Sequence, residues 1–408
     1  MSQRDITHVC VLTPSGRGAV AVVAVEGNTA VSAAGRFFRA ANQRALSDQP
    51  VGRIVYGQWV SDPAGSSIGE DLIVCRHTDK SLEIHCHGGR QSSAQIVADL
   101  TNAGCTAIDT ELWLAREYDC PIAASAHFAM TQATTFRAAT ILLAQYHGAL
   151  RGEIEAIVAS LENGSITQAV ARLECLLQRG ELGCHLTEPW CVVIAGQPNV
   201  GKSSLINALV GYERAIVFDQ PGTTRDVISA ATAIDGWPVE LSDTAGLHKT
   251  TDKIETAGIT LARERLAVAD LVVWVLDAAA ICSFGEDSIW RQATQQAQAV
   301  NVSLNSERTQ IVINKIDLVA DFAADFAKRA TTKDPRIIGT CAVTSTGIEQ
   351  LLATIATRLV PHVPSPGAAV PFTVVQVEAL QAALDAAGRE EFNTASDILI
   401  QLLVLNCS

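Results

Sequence analysis

The sequence predicts a multidomain chain in which an α/β domain is inserted into an all-helical domain and preceded by a small α+β domain. Three observations carry this. Gly196-Gln-Pro-Asn-Val-Gly-Lys-Ser-Ser-Leu205 sits between an apolar run, Cys191–Ala195, and a helix-like segment, Ser203–Val210. Apolar residues at helical spacing occur on both sides of that block, from about Met130 to Gln178 and again after Thr373. Short strand-like runs punctuated by turn residues fill the first 120 positions.

In chain order, the N-terminal runs are His8–Leu12, Ala19–Val25, Ile54–Val60, Leu72–Arg76 and Leu82–Cys86, with helix-like segments at Thr29–Arg39 and Ser92–Asn102. Phe136, Ala139, Leu143, Tyr146, Leu150, Ile154, Ile157 and Leu161 then recur at threes and fours, the mark of a helix burying one face. Asp235-Gly-Trp-Pro238 reads as a hairpin turn, with Trp237-Pro238 in it. Val363-Pro-Ser-Pro-Gly367 reads as a linker, and Thr373–Ala387 and Ala395–Leu405 as closing helices. The expected domains are residues 1–120, 121–187, 188–362 and 363–408, the second and fourth forming one helical domain around the third.

The inserted block carries the chemistry. Gly196–Ser203 has the glycine and Lys-Ser spacing of a phosphate loop, or P-loop. Its glycines let successive backbone N–H groups turn toward phosphate oxygens at the start of a helix, where the helix dipole adds positive potential. Asn199, Val200, Gly201, Lys202, Ser203 and Ser204 line this cradle, with Lys202 reaching the β and γ phosphates and Ser203 ligating Mg²⁺. Thr223 and Thr224, in Gly222-Thr-Thr-Arg-Asp226, stand where a loop closes over the γ phosphate and Thr224 completes the Mg²⁺ shell. Asp243-Thr244-Ala245-Gly246 follows the run Val239–Leu241; its Asp holds Mg²⁺ through water. Asn314-Lys315-Ile316-Asp317 follows Ile311–Ile313, and the Asp317 carboxylate suits guanine, which offers N1–H and a 2-amino group together. Cys341-Ala342 stands where a loop caps the base through backbone N–H. Any one segment alone also reads as a turn or a cap; the ordered set predicts a P-loop GTPase domain.

Composition bounds the rest. The chain has 408 residues, 48% hydrophobic and 18% charged, with a net charge of −13, which argues against a broad electrostatic footprint for nucleic acid. Eleven cysteines without a Cys-x-x-Cys pair fit reduced thiols in a cytoplasmic protein. No run of eighteen apolar residues predicts a membrane span, and Met1–Leu12 has no secretory pattern. His85-Cys86-His87 resembles a metal motif, but successive strand residues face opposite ways.

Pro14-Ser-Gly-Arg-Gly-Ala-Val20 resembles the PxGRGGV segment of the tRNA-modification GTPases of the MnmE, or TrmE, family, and Leu82-Glu-Ile-His-Cys-His-Gly-Gly89 resembles its LELxxHGG segment. The resemblance covers essentially the full length, closest in the P-loop block, and implies a TrmE-Era-like GTPase domain. It further implies GTP hydrolysis stimulated by K⁺ when two such domains meet, a homodimer formed through the N-terminal domain, a flavoprotein partner of the MnmG kind, tRNA wobble-uridine (U34) modification and a tetrahydrofolate cofactor. Asn199 matches the family's K⁺-binding Asn, and Glu255, twelve residues after Asp243, its catalytic Glu, beside Lys202 and Thr224. Glu83 matches a folate-contacting Glu. Ala24, however, stands where the family has an Arg, and His127 near a family Lys; both departures count against folate. The family ends FCIGK, whereas this chain ends Leu-Asn-Cys407-Ser, so Cys407 is either that family Cys or an incidental thiol. The alternative is a diverged GTP-dependent switch or assembly factor without tRNA chemistry.

Overall fold

The computed structural model describes residues 6–13, 18–61, 69–116, 118, 120–212, 229–243, 265–281, 286–299, 304–305, 307–319 and 336–404. The chain divides into two compact units, one formed largely by Met1–Thr131 and the other by Gln132–Leu403.

In the first unit, β1 (His8–Val11), β2 (Val20–Glu26), β3 (Phe38–Ala40), β4 (Ile54–Trp59), β5 (Glu70–Arg76), β6 (Ser81–His87) and β7 (Thr106–Ala107) form one sheet in the order β3-β4-β5-β6-β2-β1-β7. All pairs are antiparallel except β1 with β7. Alternation decides its faces. Val55, Trp59, Leu72, Val74, Leu82, Ile84, Val23 and Val25 are buried in one core with Ile96 and Leu100 of α2 (Arg90–Asn102) and Ala30 and Ala34 of α1 (Ala30–Phe37). The other face carries Ile54, Tyr56, Cys75, Glu83 and His85. At its β1–β2 end Cys10 and Ala24 are covered by Trp113 of α3 (Thr110–Ala115). Helix α4 (Pro121–Gln132) completes the unit.

In the second unit, β8 (Trp190–Gly196), β9 (Ser229–Ile234), β10 (Trp237–Asp243), β11 (Leu271–Asp277), β12 (Thr309–Asn314) and β13 (Ile337–Thr340) build a sheet ordered β13-β12-β11-β8-β10-β9. Its strands are parallel apart from the β9–β10 hairpin. Parallel strands buried on both faces need continuous apolar runs, and Leu271–Leu276 and Thr309–Asn314 are buried throughout. Helices α9 (Lys202–Val210), α10 (Glu286–Ala299) and α11 (Ile348–Leu359) belong to this layer.

The helical part comes from two distant stretches. Helices α5 (Phe136–Tyr146), α6 (Ala149–Glu162), α7 (Ile166–Leu177) and α8 (Gly180–Cys184) precede the sheet; α12 (Val374–Gly388) and α13 (Phe392–Leu403) follow it. α6 packs on α13 and α7 on α12, burying Ile154, Ile157, Leu173, Leu380, Ala383 and Leu399. Gln145, fully buried, pins the returning chain: its Nε2 donates to Ala368 O at 3.0 Å and its Oε1 accepts from Val370 N at 3.1 Å.

Two expectations change. The stripe through Phe136 and Leu143 is not the buried face of α5: Phe136 is 89% exposed, while Ala138, Leu142 and Gln145 are buried. Thr135 caps this helix by accepting from Ala138 N, and Gly148 at φ +97° ends the run before α6, so the periodic stretch is several helices with separate registers. The hairpin turn is Asp235-Gly236, both at positive φ, as a two-residue turn between right-twisted strands requires. Trp237 and Pro238 already lie in β10. Pro238 precedes Val239, the first residue of β10 that pairs with β8, so its missing N–H interrupts no bond to that strand.

Candidate functional site

The carboxyl ends of β8, β10, β11, β12 and β13 share one end of the sheet, because Asp243 pairs with Ile194, Val275 with Gly196, Asp277 with Asn314 and Asn314 with Thr340. Open α/β sheets present their ligand groups at this end. Gly201, at φ +92°, begins α9. A Cβ there would lie 2.4 Å from Asn314 Nδ2, so only glycine lets the loop pass. No side chain caps α9, which leaves its first N–H groups directed at the loop mouth.

Lys202 is 5% exposed, and its Nζ donates to Gly196 O at 3.0 Å and Gln197 O at 2.8 Å. Burial lowers its pKa, partly opposed by the Asp243 carboxylate. A buried ammonium held by carbonyl oxygens of its own loop is suited to an incoming polyanion. Ser203 Oγ donates to Asp243 Oδ2 at 2.7 Å, so two of the three side chains assigned to Mg²⁺ meet although forty residues apart. That hydroxyl–carboxylate pair beside an open helix N-terminus fits a hard, oxygen-seeking cation next to phosphate.

The Asn314–Lys315 loop is tied to the Gly196–Gly201 loop. Asn314 Nδ2 donates to Val200 O at 2.9 Å, and Asn314 Oδ1 accepts from buried Thr340 Oγ1 at 3.2 Å. Lys315 Nζ donates to Asn199 O at 2.5 Å and pairs with Asp277 Oδ2 at 2.8 Å. Asn199 and Lys315 both hold left-handed backbones, φ +66° and +63°. Asp317 is exposed on the 3₁₀ turn Ile316–Leu318, Ser204 is exposed on α9, and Cys341, 1% exposed, opens the loop after β13 beside Ala342. Cys341 Sγ accepts from Thr344 N at 3.4 Å.

Thr223, Thr224, Thr244, Ala245, Gly246, Glu255 and Cys407 lie outside the described residues. Sequence reasoning names neither Asp277 nor Thr340. Their signal is topological: each ends a strand in register with Asn314.

In the first unit Glu83 Oε2 accepts from His85 Nε2 at 3.1 Å and lies 3.3 Å from His77 Nε2. Ala24 is its direct partner across β2 and β6, so the small residue faces the carboxylate. His127 Nδ1 is 2.7 Å from Tyr118 Oη. Cys86 is buried in the core between His85 and His87 on the other face. Among the described residues no three His, Cys, Asp or Glu side chains are placed to hold a metal ion, and no helix is long and apolar enough to cross a membrane.

Residues 191–315 match the family described as 50S ribosome-binding GTPase, and residues 7–110 the family described as GTP-binding protein TrmE N-terminus. The chain is 32% identical to the tRNA modification GTPase MnmE of Symbiobacterium thermophilum, across 86% of this chain and 82% of that protein. It is 30% identical to the protein of the same name from Geobacillus thermodenitrificans, across 86% and 81%. A solved structure of Era in complex with MgGDPNP and nucleotides 1506–1542 of 16S ribosomal RNA is 26% identical, covering 43% of this chain and 58% of that one, with a TM-score of 0.30.

Proposed function

This chain belongs to the MnmE (TrmE) family of tRNA-modification GTPases, and from that premise we propose that it hydrolyses GTP with Mg²⁺ at the carboxyl end of the second unit's sheet in support of tRNA wobble-uridine modification. The observation that carries the reading is the convergence of Lys202, the Ser203–Asp243 pair and the Asn314–Lys315 loop at that one end. Phosphoryl transfer asks a protein for positioning and charge stabilisation more than for covalent chemistry. Lys202 would meet the β and γ phosphates, the N–H groups from Asn199 to Ser204 would cradle them, and Ser203, Thr224 and Asp243 would hold Mg²⁺, which would neutralise charge on the phosphate oxygens. Thr223 and the Thr244-Ala245-Gly246 segment follow the γ phosphate. Asp317 accepts from guanine, and Asn314, Lys315, Cys341 and Ala342 frame the base. Glu255 orients the attacking water.

The finer parts of the proposal rest on family membership. Asn199 contributes to a K⁺ site that forms when two G domains meet, the chain works as a homodimer, and its partners are a flavoprotein of the MnmG kind and tRNA. The domain limits follow the same reading: 1–120, 121–187 with 363–408, and 188–362. Folate is the weakest element. Glu83 is already bonded by histidine, and Ala24, opposite it, offers no cation for a carboxylate tail.

The test is steady-state GTP turnover by the purified chain in potassium and in sodium buffer, with Glu255→Ala in parallel. Turnover at least about tenfold faster in potassium, and a Glu255→Ala protein that binds GTP normally but turns over at least about a hundredfold slower, are expected. Equal rates in the two salts remove the K⁺ proposal. An unimpaired Glu255→Ala removes that residue from the chemistry.

A further inference from the structure

Asp277 stands outside every motif named above, yet it is built into the site. It ends β11 directly beside Asn314, the last residue of β12. Its two carboxylate oxygens do different work: Oδ1 accepts from Ala279 N at 2.9 Å, fixing the helical turn Ala278–Ile281, and Oδ2 accepts from Lys315 Nζ at 2.8 Å. Both side chains are largely enclosed, 25% exposed for Asp277 and 32% for Lys315, so the pair is less screened than a surface ion pair.

Lys315 is the residue that most needs holding. Its backbone is left-handed at φ +63°, a conformation that a non-glycine residue keeps only where the surroundings over-determine it. Its carbonyl accepts from Leu318 N at 3.1 Å, closing the 3₁₀ turn that presents Asp317 two residues later. Its ammonium donates at the same time to Asn199 O in the phosphate loop. One lysine therefore fixes the position of the base-reading turn and of a phosphate-loop carbonyl, and Asp277 anchors that lysine from a third strand.

We propose that Asp277 is a positioning residue for guanine-nucleotide binding: by anchoring Lys315 it locks the base-reading turn to the phosphate loop before nucleotide arrives, and so sets how long nucleotide stays. This rests on the assignment of the GTP site above. Asparagine at 277 separates the roles chemically. Its one carbonyl oxygen keeps the bond to Ala279 N, while its NH₂ meets the Lys315 ammonium donor to donor. The turn survives and the anchor is lost.

The test uses the full chain and three variants: Asp277→Asn, Asp277→Glu and Lys315→Met, with the Asp277→Asn/Lys315→Met double variant closing the cycle. Release of fluorescent N-methylanthraniloyl-GDP is followed by stopped flow, and GTP turnover is measured over a range of concentrations. Asp277→Asn is expected to release GDP about tenfold faster and to raise KM in like measure, with kcat at saturating GTP within about twofold of the parent. Asp277→Glu, which restores the acceptor, is expected to recover most of the retention. In a Lys315→Met background, Asp277→Asn is expected to add nothing, since it acts through that lysine. The proposal is overturned by a release rate within about twofold of the parent, by a loss confined to kcat, or by additive losses in the double variant. A parent chain that binds no GDP would instead sink the site assignment itself. Retained binding with full additivity would sink only the role of Asp277.

Discussion

Gly201 and Cys86 show how much a single residue's surroundings decide. At Gly201 the left-handed backbone and the approach of Asn314 Nδ2 act together. Gly201→Ala is expected to cost about 1–3 kcal/mol in strain and to abolish detectable GTP binding, because the added methyl displaces the Asn314 amide that holds Val200 O. Calorimetric titration with GTP checks this, and binding within a few-fold of the parent would show that the loop yields. Cys86 is a silent titration. Burial, with a smaller push from Glu70, raises its thiol from 9.0 to about 11. A pKa raised by folding means that the contribution is complete below pH 9 and is lost as pH climbs through 11, since the unfolded chain ionises first. The first unit should lose up to about 3 kcal/mol over that window, and Cys86→Ala should flatten the decline in urea midpoints between pH 8.5 and 11. Identical slopes would refute it. Lys202, Ser203 and Asn314 were legible in the sequence because each belongs to a short motif whose internal spacing identifies it, although Ser203 and Asn314 bond to residues far along the chain. Asp277 was not, because its partner is fixed by the register of two parallel strands thirty-odd positions apart.

At the scale of elements, apolar runs located strands to within a residue or two: Cys191–Ala195 became Trp190–Gly196, and Leu82–Cys86 became Ser81–His87. Backbone hydrogen bonding extended each run past its apolar residues. The register of α5 was not legible, because Phe136 and Leu143 obey a helical period while the tertiary environment buries Ala138 and Leu142. The same helix supplies a brace invisible in sequence. Arg137 lies 4.8 Å over the Trp237 ring and pairs with Asp235 Oδ2 at 2.9 Å, gripping the tip of the β9–β10 hairpin. Asp235 is 60% exposed and Arg137 37%, so screening keeps the ion pair small, and the stacking contributes about as much. Arg137→Ala should therefore destabilise the second unit by only about 1 kcal/mol, and a cycle with Asp235→Ala should show coupling below that figure. Coupling of several kcal/mol in urea titrations would mean that the brace acts in a larger network.

For the whole molecule, the division into two compact units has a thermodynamic consequence. Ligand stabilises only what binds it, by an amount that grows with the logarithm of its concentration over Kd. GDP with Mg²⁺ at a hundred times Kd should raise the melting of the second unit by about 3 kcal/mol equivalent and leave the first unchanged, giving two separable calorimetric transitions. A single transition that moves as one would show that the units unfold together.

The split origin of the helical layer also imposes a schedule. α6 and α7 leave the ribosome with Ile154, Ile157 and Leu173 ready to be covered, but their partners Leu380 and Leu399 come some two hundred residues later. At about 5–20 residues per second, that wait is on the order of ten to forty seconds. Throughout it the nascent chain carries a bare apolar surface that nothing of its own can yet close, while the nucleotide-binding sheet is made in between. A newly synthesised molecule thus passes through an interval when a chaperone, or another nascent copy, can reach a surface that the finished protein never shows.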